Sequence, residues 1–287
     1  MAVDGSEVPS VFCSLGSEKI SITDDEIKST LHSFLDALGP REDVLLLPPD
    51  FTRFHSQAGK ISRFICEYYN FVGSGEKKDV EPDTNSKHVL DEEQQHTDSS
   101  QFSPNITILP ALGTHFPMTK NQIETMFGNN LAAKEDAFLV HDWRKDVETI
   151  GHAPADMVEK ATNGMVSRPW PAQLNTQVWS RRKHDPEKQP HKSLILSVGQ
   201  VVPHEVMGMA NFNKNLFVGV GGVEGKSPCS LSFLFFSSRN WIDLISQSNN
   251  HLNTCYNSYQ SITLYWSCAW NGKNDGKSFQ SSSIHSE

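Results

Sequence analysis

Short, fully apolar runs alternate along the chain with longer segments whose apolar residues recur at helical spacing. Thr23 and Glu26 form a capping box, and the helical pattern that follows ends at Gly39, so a helix is predicted there. Residues 44–47 form an apolar run typical of a strand that is buried on both faces of a parallel sheet. The apolar spacing of residues 61–68 then predicts a second helix.

The same alternation continues through the second half of the chain. Further strands are predicted at residues 106–109, 137–140, 194–198 and 216–220. Helices are predicted after the capping box of Thr119 and Gln122 and at about residues 171–179. Repeated β-then-α units predict an α/β fold, with a mostly parallel open sheet flanked by helices in a Rossmann-like arrangement and an irregular C-terminal tail.

Two segments depart from this pattern. Residues 73–104 are rich in Lys, Asp, Glu, Gln and Ser and contain few large apolar residues, so they are predicted to form a disordered insertion. Residues 228–287 show no regular periodicity and form a divergent tail. The sequence therefore predicts one folded domain over residues 1–227.

Composition excludes several classes of protein. A chain of 287 residues is long enough to bury a stable core without disulfides. Its five cysteines are widely spaced and contain no Cys-x-x-Cys pair, which favours neither a zinc site nor a disulfide framework. The formal charge of −9 argues against a nucleic-acid partner. Without a signal-peptide pattern or a long apolar run, the sequence predicts a soluble, cytoplasmic protein with no membrane partner.

Reactive side chains follow three of the predicted strands. Because the carboxyl ends of parallel strands meet at one edge of a sheet, where ligands bind in open α/β folds, we expect these side chains to lie together. They are, in chain order, Asp50, Thr52 and Arg53 after residues 44–47, Gly113, Thr114 and His115 after residues 106–109, and His204, Gly208 and Lys214 after residues 194–198.

Each of these residue types suits a chemical role and also has a structural explanation. Arg53 can hold a carboxylate or phosphate through paired hydrogen bonds, and His115 and His204 can exchange protons near neutral pH. Lys214 can anchor a group covalently, and Gly208 allows such a group to approach the backbone. The alternative is that these residues cap turns, form structural hydrogen bonds or remain solvated.

Other histidines carry weaker signals. His141, followed by Asp142, comes directly after residues 137–140. The two neighbours are interpreted as a capping residue and the solvent-facing residue beside it. His152 follows Gly151, and neither histidine is placed in the primary catalytic set.

The loop sequences resemble the amino-terminal, LarA-like domain of the nickel-pincer lactate racemases, patchwise over residues 40–227. The resemblance rests on Asp50-Phe51-Thr52-Arg53, on the Gly-Thr-His segment ending at His115, and on His204 and Lys214, ten positions apart. It implies a racemase or epimerase of lactate or a related α-hydroxy acid that uses a pyridinium-derived nickel-pincer cofactor.

The resemblance also implies a role for each site residue. Lys214 would carry the cofactor, with Asp50, Thr52 and Gly208 near it. His115 and His204 would be two opposed acid/base residues, and Arg53 would face the substrate carboxylate. Neither the particular hydroxy acid nor the oligomeric state is indicated.

The chain departs from the family at two points. The family's nickel-binding histidine follows the lysine, but residues 227–231 contain only Cys229 as a potential ligand, so the metal ligand is unknown. No segment resembles the family's second domain. The alternative is therefore a truncated, non-catalytic remnant that binds a carboxylate or a nucleotide-like ligand.

A Gly-rich turn at residues 219–225 is one residue off the dinucleotide fingerprint. A nicotinamide-dependent dehydrogenase is thus a third interpretation. Within the racemase interpretation, this turn is expected to wrap the tethered cofactor.

Overall fold

The computed structural model describes residues 11–15, 21–73, 103–181, 193–200, 203–204, 208–209, 214–224, 261–266 and 282–286. Its strands are β1 (Val11–Leu15), β2 (Asp43–Leu47), β3 (Asn105–Ile108), β4 (Val147–Ala153), β5 (Trp170–Asn175), β6 (Ser193–Gln200), β7 (Pro203–His204), β8 (Gly208–Met209), β9 (Ser261–Trp266) and β10 (Ser282–Ser286). Its α-helices are α1 (Asp24–Leu38), α2 (Ala58–Tyr68), α3 (Lys120–Phe127), α4 (Asn129–Ala132), α5 (Ala155–Ala161) and α6 (Thr176–Ser180). Two 3-10 helices span Phe51–Ser56 and Glu135–Ala137, and a π-helix spans Asn215–Gly219.

The described strands form one large sheet and two small ones. The large sheet has the order β1-β10-β9-β6-β2-β3. Strand β2 pairs in parallel with both β3 and β6, and β6 pairs in parallel with β9, whereas β10 is antiparallel to β9 and β1. Strands β4 and β5, and likewise β7 and β8, form antiparallel pairs. This arrangement confirms the predicted α/β class.

Residues of β2 alternate between two hydrophobic cores. Val44 and Leu46 pack in the core that contains α1, α2 and α3, and Leu45 and Leu47 pack in the core that contains β5, α6 and the π-helix. Because successive side chains of a strand point to opposite faces, burial of both faces requires an uninterrupted apolar run. All four side chains are fully buried. The strands predicted at residues 44–47, 106–109 and 194–198 correspond to β2, β3 and β6.

Both predicted capping boxes are present. The Thr23 side chain accepts a hydrogen bond from the Glu26 N–H, and Thr119 accepts one from the Gln122 N–H, so the two hydroxyls begin α1 and α3. Gly39 ends α1 with a φ of 73°, a conformation that glycine adopts without strain. Local sequence thus places two of the three helices that flank this face of the sheet.

The strand predicted at residues 137–140 is wrong. Its first residue belongs to the 3-10 helix Glu135–Ala137, and the segment meets β3 only through a bridge between Phe138 and Ile108. Val140 is 57% exposed, so the apolar run does not reflect burial on both faces. The segment therefore lies beside β3 without extending the sheet.

The helix predicted at residues 171–179 is wrong over its first half. Trp170–Asn175 is strand β5, paired with the unpredicted strand β4, and only Thr176–Ser180 is helical. The Asn175 side chain accepts a hydrogen bond from the Gln177 N–H and so begins the helix later than predicted.

The strand predicted at residues 216–220 is also wrong, because Asn215–Gly219 forms a π-helix. A short buried apolar run has no periodicity that separates a strand from a helical turn.

Two other predictions fall mostly beyond the described residues. Of the insertion predicted at residues 73–104, residues 74–102 lie outside the described part of the chain. Most of the predicted tail also lies outside it, apart from β9 and β10. Among the helices that the structure describes, none combines the length and apolar character needed to cross a membrane.

Candidate functional site

Asp50 is fixed at the carboxyl end of β2. One of its carboxylate oxygens, Oδ1, accepts hydrogen bonds from the Thr52 backbone N–H, at 3.1 Å, and from the Thr52 hydroxyl. The carboxylate thereby caps the 3-10 helix that begins at Phe51. Asp50 is only 5% exposed. Both hydrogen bonds from Thr52 go to Oδ1 of Asp50, so its second carboxylate oxygen, Oδ2, can accept from a further partner.

That further partner is His115, which is 65 positions away in the sequence. Parallel pairing of β2 with β3 continues past the strand ends, where the Ala111 N–H donates to the Pro48 carbonyl at 2.7 Å. Gly113 then turns the chain with a φ of 62°, and the His115 imidazole forms a hydrogen bond through Nδ1 to Asp50 Oδ2. The convergence predicted for these two loops is therefore observed as a direct contact.

The Asp50–His115 contact selects one imidazole tautomer. A carboxylate can only accept, so Nδ1 carries the hydrogen, and Nε2 of the neutral ring keeps its lone pair. The His115 side chain is 59% exposed, whereas that of Asp50 is 7% exposed. The pair thus presents a proton acceptor at the surface that is oriented by a buried carboxylate, an arrangement suited to general-base catalysis.

Arg53 lies in the same 3-10 helix as Thr52. Its backbone N–H donates to the Asp50 carbonyl at 3.0 Å, and its side chain is exposed. The local backbone is kinked at Arg53, with φ −108° and ψ 31°. Arg53 therefore presents an exposed guanidinium group on the 3-10 helix that Asp50 caps, and such a group can bind an anionic ligand.

Lys214 precedes the π-helix, which lies against the His115 turn. The Gly113 N–H donates to the Gly219 carbonyl at 2.8 Å, and a β-carbon on Gly219 would lie 2.7 Å from the Ala111 β-carbon. At the other end of the π-helix, the buried Asn215 amide donates to the Ser197 hydroxyl of β6 at 3.0 Å. The segment that carries Lys214 is thus held between the ends of β3 and β6.

Ser197 and Asn215 are structural residues that the sequence reasoning did not identify. The signal that could have found Ser197 is a hydroxyl inside an otherwise apolar strand, since a buried hydroxyl needs a hydrogen-bond partner. Ser197 pairs in register with Leu47 of β2, which places it near the same carboxyl edge.

His204 and Gly208 lie opposite each other in the short pair β7 and β8. The structure gives their backbone pairing but does not describe their side chains. Their catalytic and cofactor-binding roles therefore stay predictions, as do the cofactor contacts expected of Asp50 and Thr52.

His141 has a structural role that differs from its interpretation as part of a solvent-facing cap. It is 4% exposed, accepts a hydrogen bond at Nδ1 from the Asn175 amide, and donates from Nε2 to the Gly221 carbonyl, both at 3.0 Å. Its neighbour Asp142 does cap a turn, because its carboxylate accepts from the Arg144 N–H, and this hydrogen bond lowers the Asp142 pKa. His152 is exposed on β4.

Close packing explains the Gly-rich turn. A β-carbon at Gly221 would lie 2.0 Å from the Phe217 carbonyl oxygen, and one at Gly222 would lie 2.1 Å from the Gln173 side-chain oxygen. The same Gln173 oxygen accepts a hydrogen bond from the Glu224 N–H at 3.1 Å. Gly221 and Gly222 let this turn approach β5 and the preceding π-helix, so close packing accounts for these two glycines.

The described residues offer an attachment point for the organic part of the implied cofactor, but they do not identify a ligand for its metal. A half-buried lysine is present beside the His115 turn and suits a covalent tether. Within the part of the chain that the structure describes, no group of three His, Cys, Asp or Glu side chains could hold a metal ion. Cys229 lies outside that part, so the metal ligand remains unassigned.

No protein-family model and no curated protein matches this chain. Among solved structures, it is similar to a Thermotoga maritima protein from a structural genomics consortium, with a TM-score of 0.57 and 16% identity over 94% of this chain and 55% of that one. This similarity supports the fold alone.

A second solved structure is the lactate racemase apoprotein from Thermoanaerobacterium thermosaccharolyticum. Its TM-score is 0.45, with 14% identity over 88% of this chain and 46% of that one. That similarity is too low to support an inference about activity. The chain spans about half the length of both structures.

Proposed function

We propose that this chain is a racemase or epimerase of lactate or a related α-hydroxy acid. The observation that carries the proposal is the hydrogen bond between Asp50 and His115 at the carboxyl edge of the parallel strands. The loop sequences that resemble the nickel-pincer racemases give this acid/base pair its specific assignment. Arg53, on the same 3-10 helix, supplies a cation for the substrate carboxylate.

Proton transfer follows from the tautomer of His115. With Arg53 holding the carboxylate, Nε2 of His115 takes the proton of the substrate hydroxyl, and the ring becomes an imidazolium. The buried Asp50 carboxylate stabilises this positive charge and keeps the ring oriented, while Thr52 fixes Asp50 itself. The pair is thus organised before substrate binds, which lowers the cost of reaching the reactive geometry.

Inversion of a stereocentre requires a proton acceptor for each enantiomer. His204 is the proposed second base, acting on the opposite face of the substrate. Lys214 would hold the nickel-pincer cofactor, which when bound would supply a hydride acceptor, a chemistry that amino-acid side chains lack.

The proposal is tested by supplying a single enantiomer of a hydroxy acid to protein made in a host that synthesises the cofactor. Chiral chromatography then follows the appearance of the other enantiomer. We expect conversion by the wild type and a loss of at least about 100-fold in His115→Gln, the lower range for general-base catalysis. His152→Gln, which changes an exposed histidine on β4, is the matched control and should retain the wild-type rate. Conversion by His115→Gln at the wild-type rate would reject the proposed base.

The second candidate is a non-catalytic remnant that binds a carboxylate or nucleotide-like ligand. The observation that favours it is the exposed Arg53 side chain after β2, which can hold a carboxylate or a phosphate whether or not the chain is catalytic. The mass of the peptide that contains Lys214 separates the two candidates. A racemase predicts an adduct that is lost in Lys214→Ala. An unmodified lysine, with a full-length lactate racemase modified in the same host, would favour the remnant.

A further inference from the structure

A largely apolar cleft of about 300 Å³ is lined in part by residues that flank His115 in the sequence. None of the residues given a role in the proposed mechanism lines it. Its apolar wall includes Pro110, Leu112, Met118, Ile123, Leu139 and Val140. A cavity of this size is at the lower end of the range for small-ligand sites.

The loop that follows β3 contributes both to the cleft wall and to the Asp50–His115 pair. Leu112 and Met118 flank His115 in the sequence, and the His115 N–H donates to the Leu112 carbonyl at 2.9 Å. Parallel pairing of Pro49 with Ala111 sets the next residues, Asp50 and Leu112, side by side. One wall of the cleft is therefore built from the turn that presents His115.

A second part of the wall is held against β3. The Leu139 N–H donates to the Ile108 carbonyl at 2.8 Å, which fixes Leu139 and Val140 relative to this strand. This segment belongs to the strand predicted at residues 137–140, and its observed conformation leaves Val140 57% exposed at the cleft.

The charged side chains of the cleft neutralise each other. Lys120 Nζ and Glu135 Oε1 are 2.8 Å apart, and both side chains are largely exposed. This pairing raises the pKa of Lys120 and lowers that of Glu135, so both remain charged at neutral pH. The pair leaves no net charge for an ionic ligand group, and the remaining wall favours an apolar one.

We infer that this cleft binds the side chain of the hydroxy acid, and that the preferred substrate carries a branched or aromatic side chain in place of the methyl group of lactate. The inference rests on the proposed function, because it takes His115 as the group that meets the substrate hydroxyl. A methyl group would fill only a small part of the cleft. Additional methylene groups would be removed from water, which strengthens binding.

The test compares the affinities of lactate, 2-hydroxy-4-methylpentanoate and phenyllactate, measured by isothermal titration calorimetry. We expect the two larger acids to bind at least about tenfold more tightly than lactate, the lower range for one added methylene in an apolar pocket. Val140→Trp should fill the cleft from an exposed position and abolish this preference. Met165→Trp is the matched control, because Met165 is 61% exposed and lies outside the cleft.

Equal affinities for all three acids, or a preference unchanged in Val140→Trp, would overturn the inference. Enantiomer conversion is measured on the same samples to separate this inference from the proposed function. A cleft-dependent preference without conversion would reject the racemase and leave the cleft as an apolar binding site. Conversion of all three acids with equal kcat/KM would reject the inference about the cleft alone.

Discussion

Substituting Gly59 with alanine tests how closely α2 and α3 pack. Gly59 lies in α2, where a β-carbon would be 2.0 Å from the Met126 carbonyl oxygen, 2.7 Å from the Met126 carbonyl carbon and 2.8 Å from its γ-carbon. The nearest two atoms belong to the backbone of α3 and cannot rotate away, so the two helices would have to separate. Alanine should therefore destabilise the fold here, although it favours isolated helices.

The expected magnitude follows from two opposing effects. Alanine in place of glycine inside a helix stabilises it by about 1 kcal/mol. Overpacking a core typically costs about 1–3 kcal/mol, and a clash with backbone atoms belongs at the upper end or beyond. We expect Gly59→Ala to lower the free energy of unfolding by about 2 kcal/mol, measured by urea denaturation followed by circular dichroism.

Gly73→Ala is the matched control for this measurement. A β-carbon at Gly73 would have no atom of the described residues within 4 Å, and its φ is not in the left-handed region. The change should alter stability by less than about 0.5 kcal/mol. A Gly59→Ala protein as stable as the wild type would refute the close approach of α2 and α3.

Three further predictions concern the polar and titratable groups of the structure. Arg181→Ala should lower stability by about 2 kcal/mol in urea denaturation, because the 11%-exposed guanidinium donates two hydrogen bonds to Asp43 at the amino end of β2. Stability should also fall as the pH rises from about 9 towards 12. Burial raises the pKa of Cys66 from 9.0 to about 12 and that of Tyr69 from 10.0 to about 12, so the unfolded chain releases these protons first. His141→Ala should lower stability by about 2–4 kcal/mol and speed hydrogen exchange at residues 219–224, because it leaves the Gly221 carbonyl and the Asn175 amide without their imidazole partner.

Matched variants check these three predictions. Lys145→Ala removes an ion pair whose lysine is 80% exposed, so it should change the free energy of unfolding very little. If Arg181→Ala had an equally small effect, the prediction for Arg181 would be contradicted. Tyr69→Phe should weaken the pH dependence above pH 10, and an unchanged slope would contradict the second. His152→Ala should leave both stability and exchange unchanged, and a His141→Ala protein that behaves like it would contradict the third.

The sequence predicts most reliably those elements whose pattern has a single physical explanation. Residues 44–47 of β2 are all apolar because they pack alternately in the two cores. The capping boxes of Thr23 and Thr119 define where α1 and α3 begin. The Asp50–His115 contact was predictable because parallel strands bring their carboxyl ends together. A general topological rule thus placed side chains that are 65 positions apart.

The sequence predicts less well where tertiary contacts decide local structure. Residues 216–220 and 171–175 carry apolar patterns that suit either a strand or a helix, and their packing against neighbouring segments selects between them. The role of His141 depends on Asn175 and Gly221, and no local signal connects these three residues. The glycines of residues 219–225 similarly resemble a ligand-binding motif, although close packing explains Gly221 and Gly222.

The tautomer of His115 tests the central claim most directly, and it does not require the bound cofactor. Nitrogen-15 NMR of the imidazole side chains, with His115→Gln used for assignment, distinguishes a protonated Nδ1 from a protonated Nε2. The Asp50–His115 hydrogen bond predicts that neutral His115 carries its hydrogen on Nδ1, and that Asp50→Asn removes this preference. A hydrogen on Nε2 in the wild type, unaffected by Asp50→Asn, would contradict the account, because His115 would then lack an oriented lone pair to accept a proton.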